Sequence, residues 1–174
     1  AVIVSEKGLN PDSALAFLML ERLGQKRVSI LSDSVDDWGF AGLPLNKTTA
    51  AVDPEKASQS VVMVPTTYPV NVRPGTVIGD PKDTQGVYPK VYIASGKSLP
   101  GKVPDGKVIH VPYTDLLNPD GTPKAAKDIW NILVKAGVPR YAEIVSISDD
   151  PGEAAANYFI LKLMGYPDVK VLMM

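Results

Sequence analysis

A strand, a loop, a helix stopped by glycine and a second strand occur twice in this chain, once at its beginning and once at its end. The first copy opens on the β-branched run Ala1-Val-Ile-Val4, followed by the loop Ser5-Glu-Lys-Gly-Leu-Asn-Pro11. Asn10 is a good N-cap and Pro11 fits the first helical position. Helix formers continue to Leu23, Gly24 ends the helix, and Val28-Ser-Ile-Leu31 is the next strand. In the second copy Glu143-Ile-Val-Ser-Ile147 is the strand, Ser148 to Glu153 the loop and Ala154 to Met164 the helix. Gly165 stops that helix before the strand Val169-Lys-Val-Leu172. Superimposing Gly24 on Gly165, an offset of 141 (165 − 24), puts Val28 on Val169, Phe17 on Tyr158 and Ile3 on Ile144. Strands joined through a helix run parallel, so each copy reads as a parallel α/β unit with buried strands, Ala1–Val4 among them. Cap, helix length and strand match together and point to a duplicated domain.

The region between the copies is rich in turns. Asn46 to Gln59 is polar and reads as a linker, and Ser60-Val-Val-Met-Val64 as an edge strand or as more of that linker. From Pro65 to Gly86 prolines and glycines exclude a helix. Val91-Tyr-Ile-Ala94 and Val108-Ile-His-Val111 are strands. Thr122 and Pro123 start a further helix whose buried face is Ala125, Ile129, Leu133 and Ala136, closed by Gly137.

Composition removes several classes of function. The 174 residues carry a formal net charge of -1 with both signs interspersed, which gives no electrostatic case for nucleic acid. They contain no cysteine and one histidine, His110, so disulfides, thiolate metal sites, cysteine nucleophiles and multi-histidine centres are excluded. No apolar run reaches the roughly 18 residues of a membrane span. Glu21 and Arg22 interrupt the apolar stretch Ala14–Leu20. The chain begins at Ala1 and already in a strand, the mark of a processed product or fragment, which leaves the compartment open and leans towards the periplasm or cell surface.

Three stretches resemble the rhodanese family. Leu31-Ser-Asp-Ser-Val-Asp-Asp-Trp-Gly-Phe-Ala-Gly-Leu-Pro-Leu45 is similar to the end of a rhodanese domain, although Asp33 and Ser34 replace its paired glycines. Val111-Pro-Tyr-Thr-Asp-Leu-Leu-Asn-Pro-Asp-Gly-Thr-Pro-Lys124 resembles the second-domain segment after its second strand. Tyr158-Phe-Ile-Leu-Lys-Leu-Met-Gly-Tyr-Pro167 resembles the helix after the active-site loop. The resemblance implies an α/β fold in which a central parallel sheet is flanked by helices, duplicated with an incomplete first copy. Residues 1–46 are then the C-terminal half of a first rhodanese-like domain, 47–66 a linker and 67–174 a second domain.

In that family the loop after the fourth strand reads roughly Cys-x-x-Gly-x-Arg, and its thiolate takes a sulfane sulfur within a cradle of backbone N–H groups. Counting back from Gly165 sets Ser148 at the cysteine and Glu153 at the arginine, in the loop Ser148-Asp149-Asp150-Pro151-Gly152-Glu153. An unassisted serine hydroxyl is neither ionised nor soft enough to attack sulfur. Asp149, Asp150 and Glu153 repel thiosulfate and phosphate alike, and Pro151 removes one N–H from the cradle. The same offset sets Lys7, within Glu6-Lys7-Gly8, opposite Ser148 in the first copy, where a solvated loop lysine is expected.

His110 reads as a structural residue at a strand end away from this loop, so no activating base is expected. Trp38 and Trp130 read as core or domain-contact residues. Gly75, Gly79 and Gly86 have no phosphate-loop spacing. The expectation is a catalytically degenerate module with no cofactor and no metal, working as a protein-binding or assembly subunit. Its partner is another protein chain, or self-association, covering the incomplete first domain. The alternatives are a sulfurtransferase whose cysteine lies outside this segment, and a small-ligand or cation-binding module using the degenerate loop.

Overall fold

The computed structural model describes residues 1–6, 8–45, 73–79 and 87–174. Lys7, the linker 47–66 and Ser60–Val64 fall outside the described residues. The first unit comprises β1 (Val2–Ile3), α1 (Pro11–Arg22), β2 (Ser29–Ile30) and α2 (Val35–Phe40). In the second unit β3 (Val77–Gly79), β4 (Lys90–Ala94) and β5 (Val108–His110) lead through a short 3-10 helix, Tyr113–Leu116, to α3 (Ala126–Ala136). It ends with β6 (Glu143–Ile147), α4 (Pro151–Leu163) and β7 (Asp168–Leu172).

Local chemistry accounts for most helix ends. Asn10 caps α1 by accepting the Ser13 N–H at 2.8 Å, while the Ser13 hydroxyl accepts the Asn10 N–H at 3.1 Å. Gly24 and Gly165 follow α1 and α4 at φ values of +81° and +76°, which favour glycine. Ser34 and Asp37 form the same reciprocal box at the start of α2, an element that the sequence reading missed.

The second unit holds a five-stranded sheet in the order β3-β7-β6-β4-β5, parallel except for β3, which runs antiparallel to β7. All five residues of β6, in mid-sheet, are buried. One face carries the main core, where Ile93, Ile144 and Val171 meet Ile129 and Leu133 of α3, Tyr158 and Leu161 of α4, and Phe17 and Leu18 of α1. The opposite face has a smaller cluster around Ala94, Val145 and Ile147. The two units join helix to helix: Phe17 meets Phe159 edge-on at 4.8 Å, and Gly152 lies so close to Pro11 that a Cβ there would stand 2.7 Å from the proline ring.

Several expectations need correcting. β1 and β2 pair in parallel but form a separate two-stranded sheet, and Val2 and Val4 are 66% and 52% exposed instead of buried. No described strand flanks β1 on its outer side. The helix expected from Thr122 starts at Ala126, and Ala125 is exposed. Thr122 instead accepts no capping role, because its N–H and hydroxyl both donate to Asp120 at 2.9 and 2.6 Å in a turn that bridges Leu117 to Pro123. β3, a strand the sequence reading did not place, lies inside the turn-rich stretch from which a helix is excluded, held by its pairing with β7.

Candidate functional site: the loop between β6 and α4

β6 delivers Ser148 to its carboxyl end, where the residue is 3% exposed. The following helix begins at Pro151, three residues before the expected Ala154, so Glu153 belongs to its first turn. Asp150 is the N-cap, its Oδ1 accepting the Gly152 N–H at 2.8 Å. The Ser148 hydroxyl donates to Glu153 Oε2 at 2.6 Å and accepts the Asp150 N–H at 3.2 Å. In an ordinary capping box the N3 carboxylate takes the N-cap N–H directly. Here the serine hydroxyl stands between them and relays the contact.

The loop is therefore internally satisfied. The amides of Asp150 and Gly152, which a cradle would turn towards an anion, already donate to Ser148 and Asp150. Asp149 faces elsewhere, both its carboxylate oxygens accepting the Gly101 N–H at 3.1 and 3.2 Å. Among the described residues no three His, Cys, Asp or Glu side chains are gathered to hold a metal ion. The carboxylates of Asp149, Asp150 and Glu153 each serve a different partner.

The loop after β4 closes over the pair. A Cβ on Gly96 would lie 2.6 Å from Glu153 Oε2 and 3.0 Å from Ser148 Oγ, so a larger residue there must displace the pair or the backbone. The Gly96 carbonyl is 2.9 Å from His110 Nε2. A carbonyl only accepts, so Nε2 carries the proton. His110 thus lies one residue removed from the loop, nearer than its strand position suggested, yet it is not poised as a base for Ser148. Tyr113, unremarked in the sequence, also belongs here: burial first, then the negative charges of Glu153 and Asp150, raise its pKa above the usual value. The carboxylate partner of Ser148 was likewise missed, since it depends on where the helix begins.

The first-unit loop docks on the second unit. Gly8, at φ +49°, would place a Cβ 2.8 Å from Gly121, and the Leu9 N–H donates to the Gly121 carbonyl at 2.9 Å. An open cleft of about 730 Å³ runs between Glu6, Asn10 and Pro11 on one side and Tyr113, Asn118 and Lys124 on the other. Strand pairing revises the internal alignment. Ile3 lies opposite Ile30 in β2, as Ser146 lies opposite Val171 in β7. With Ile30 matched to Val171 by the glycine stops, Ile3 corresponds to Ser146 and not to Ile144. Ser5, rather than Lys7, then matches Ser148. The constant offset failed because the first loop is longer between strand and N-cap.

The chain as a whole superposes on solved structures. SseA from Escherichia coli, a 3-mercaptopyruvate sulfotransferase described as having the rhodanese fold, superposes with a TM-score of 0.63 over 98% of this chain at 19% identity. The fold is rhodanese-like. A structure of EanB with ergothioneine superposes on the rhodanese-like chain with a TM-score of 0.62 over 99% of its length at 14% identity. Among curated proteins, the sulfur carrier protein TtuD of Thermus thermophilus is 24% identical over 91% of the chain. The chain spans 60% of TtuD and 64% of the SseA chain. No protein-family model matches it. Among the described residues no helix is long and apolar enough to cross a membrane.

Proposed function

We propose that this chain is a non-catalytic rhodanese-like module that works by binding another polypeptide within an assembly. The observation that carries the reading is Ser148. The residue at the carboxyl end of β6 is a buried serine whose hydroxyl is held by Glu153, and the 174 residues contain no thiol. A sulfane sulfur needs a soft nucleophile to receive it, and an alcohol pinned by a carboxylate is not one. TtuD is named a sulfur carrier, and that role has no attachment point at Ser148.

The binding half of the proposal is supported by exposed apolar side chains in the first unit. Val2, Val4, Leu23, Phe40, Leu43 and Leu45 are all exposed, Phe40 at 91%. Single exposed apolar residues are ordinary, but six among the described residues of one small unit invite a cover. On this reading residues 1–46 are half of a rhodanese-like unit joined by a linker, 47–66, to the second unit, 67–174.

The test is a sulfur-transfer assay with thiosulfate and cyanide, and with 3-mercaptopyruvate and a thiol acceptor. The expected result is no thiocyanate or pyruvate above the uncatalysed rate, with an intact mass that gains no sulfur. Turnover by the purified chain would overturn the non-catalytic reading.

A further inference from the structure

We infer that a notch between α3 and the end of α4 is a binding site for a small planar carboxylate carrying one flat apolar ring. The notch has a volume of about 180 Å³ and is lined by Trp130, Arg140, Met164, Gly165 and Tyr166, all of the second unit. Arg140 precedes β6 and Tyr166 precedes the parallel β7, whereas Ser148 follows β6. The notch is therefore at the opposite end of the sheet from the Ser148 loop. Gly165 ends α4 at φ +76°, and the Tyr166 N–H turns back to the Leu161 carbonyl at 3.1 Å, fixing the backbone from which the phenol projects.

Two groups there lack a counterpart that one carboxylate supplies. The Tyr166 hydroxyl is buried and has no hydrogen-bond partner among the described residues, which is destabilising for a polar group closed to water. Arg140 makes no ion pair among the described residues. Its guanidinium carbon lies 5.6 Å from the Trp130 ring centre and 5.7 Å from that of Tyr141, which is stacked on Tyr88 at 6.3 Å. These contacts place the cation and use none of its five N–H donors. Burial raises the Tyr166 pKa and the Arg140 charge opposes that rise, so the phenol lies within the field of the guanidinium. A carboxylate accepts from both, one oxygen from the guanidinium and the other from the phenol. Entry to the hydroxyl requires a lining side chain to shift outward, and Arg140 is the exposed one.

The dimensions and the lining limit the ligand. A dry cavity of about 150 Å³ takes benzene, so a notch of this size takes one ring with its carboxylate. Trp130 and Met164 supply apolar walls. Arg140 is the one charged lining residue, which suits a planar monoanion and leaves the second charge of a phosphate uncompensated.

The probe is sodium benzoate, added at neutral pH to the full 174-residue chain and followed through the Trp130 indole N–H and the Tyr166 ring resonances. Saturable shifts with a Kd of about 1 mM are expected. Benzamide, which keeps the shape without the charge, and inorganic phosphate should each bind at least about tenfold more weakly. Arg140→Gln should weaken benzoate by about tenfold or more. Tyr166→Phe should weaken it by about fivefold while leaving the free chain no less stable, since the hydroxyl it removes has no partner to lose. That combination separates a ligand-binding phenol from one that only supports the fold. No saturable shift at about fifty times the expected Kd sinks the proposal. So does equal binding of benzamide or phosphate, or full benzoate affinity in either variant. The sulfur-transfer assay bears on the Ser148 loop alone and leaves this site untouched.

Discussion

Glu21 and Lys162 stand at matching positions in α1 and α4, each three residues before its glycine stop, and their side chains meet at 2.9 Å. Across a two-fold arrangement a residue touches its own counterpart only at the axis. Gly152 and Pro11 are counterparts by the same glycine-stop offset and also touch, so the two helices meet counterpart to counterpart near both ends, here with opposite charges in place of a like pair. Tyr158 completes it, its hydroxyl donating to Glu21 at 2.8 Å.

Replacing Glu21 by Ala removes two donors' acceptor at once. The ion pair is partly exposed and contributes modestly, but the Tyr158 hydroxyl loses a carboxylate partner inside the helix–helix contact. A loss of about 1–2 kcal/mol in chemical denaturation is expected, with Glu21→Gln losing less. Equal loss in Glu21→Gln would assign the whole effect to charge.

Ser148→Ala breaks the relay at its centre, leaving the Asp150 N–H and the Glu153 carboxylate without their hydroxyl. The expected cost is about 1–2 kcal/mol. Ser148→Cys restores a sulfur nucleophile in place but sets it against Glu153, and a neighbouring negative charge disfavours the thiolate. Thiol titration should therefore find a pKa above that of an ordinary cysteine, and the thiosulfate assay no appreciable turnover. A reactive, low-pKa thiol would show that the carboxylate turns away once the hydroxyl is gone.

Gly96→Ala tests the closure of the loop over this pair. Its Cβ would stand 2.6 Å from Glu153 Oε2, so the carboxylate or the backbone must shift. About 1–3 kcal/mol of destabilisation is expected. In the Glu153→Ala background the obstruction is absent, and the double variant should be less destabilised than the two single losses added together.

What could be read from sequence was what local chemistry decides. Asn10-Pro11 and Gly24 bound one helix, Gly165 ended the other, and a parallel α/β unit followed from the strands around them. The Asp150-Pro151 start carries the same signal as Asn10-Pro11, and the helix begins there, three residues before the expected Ala154. Register is beyond a constant offset, since the loop from strand to N-cap is longer in the first unit than in the second; strand pairing sets Ser5, not the offset's Lys7, opposite Ser148. The exposure of Val2 and Val4 was illegible for a different reason. A β-branched run reads as buried whether or not a neighbouring strand exists to bury it. The short β3, among prolines and glycines, is decided by its partner β7.

Tyr113 offers a readout of the loop's charge that does not depend on stability. Its pKa is raised from 10.0 by burial, then by Glu153 and Asp150. Both carboxylates disfavour a phenolate beside them, so the folded chain holds the Tyr113 proton more tightly than the unfolded one. The stability this contributes is complete below about pH 10 and falls as pH rises through the folded pKa, because the unfolded tyrosine ionises first. Glu153→Gln keeps an oxygen for the Ser148 hydroxyl while removing one charge, and it should move Tyr113 back towards its ordinary value. Tyr166 is the internal control: its pKa is also raised by burial, but the nearby charge is Arg140, which lowers it, so Glu153→Gln should leave it unchanged. Tyrosine ring resonances followed through an alkaline titration separate the two residues. A Tyr113 titration unmoved by Glu153→Gln would place the phenol outside the field of the Ser148–Glu153 pair.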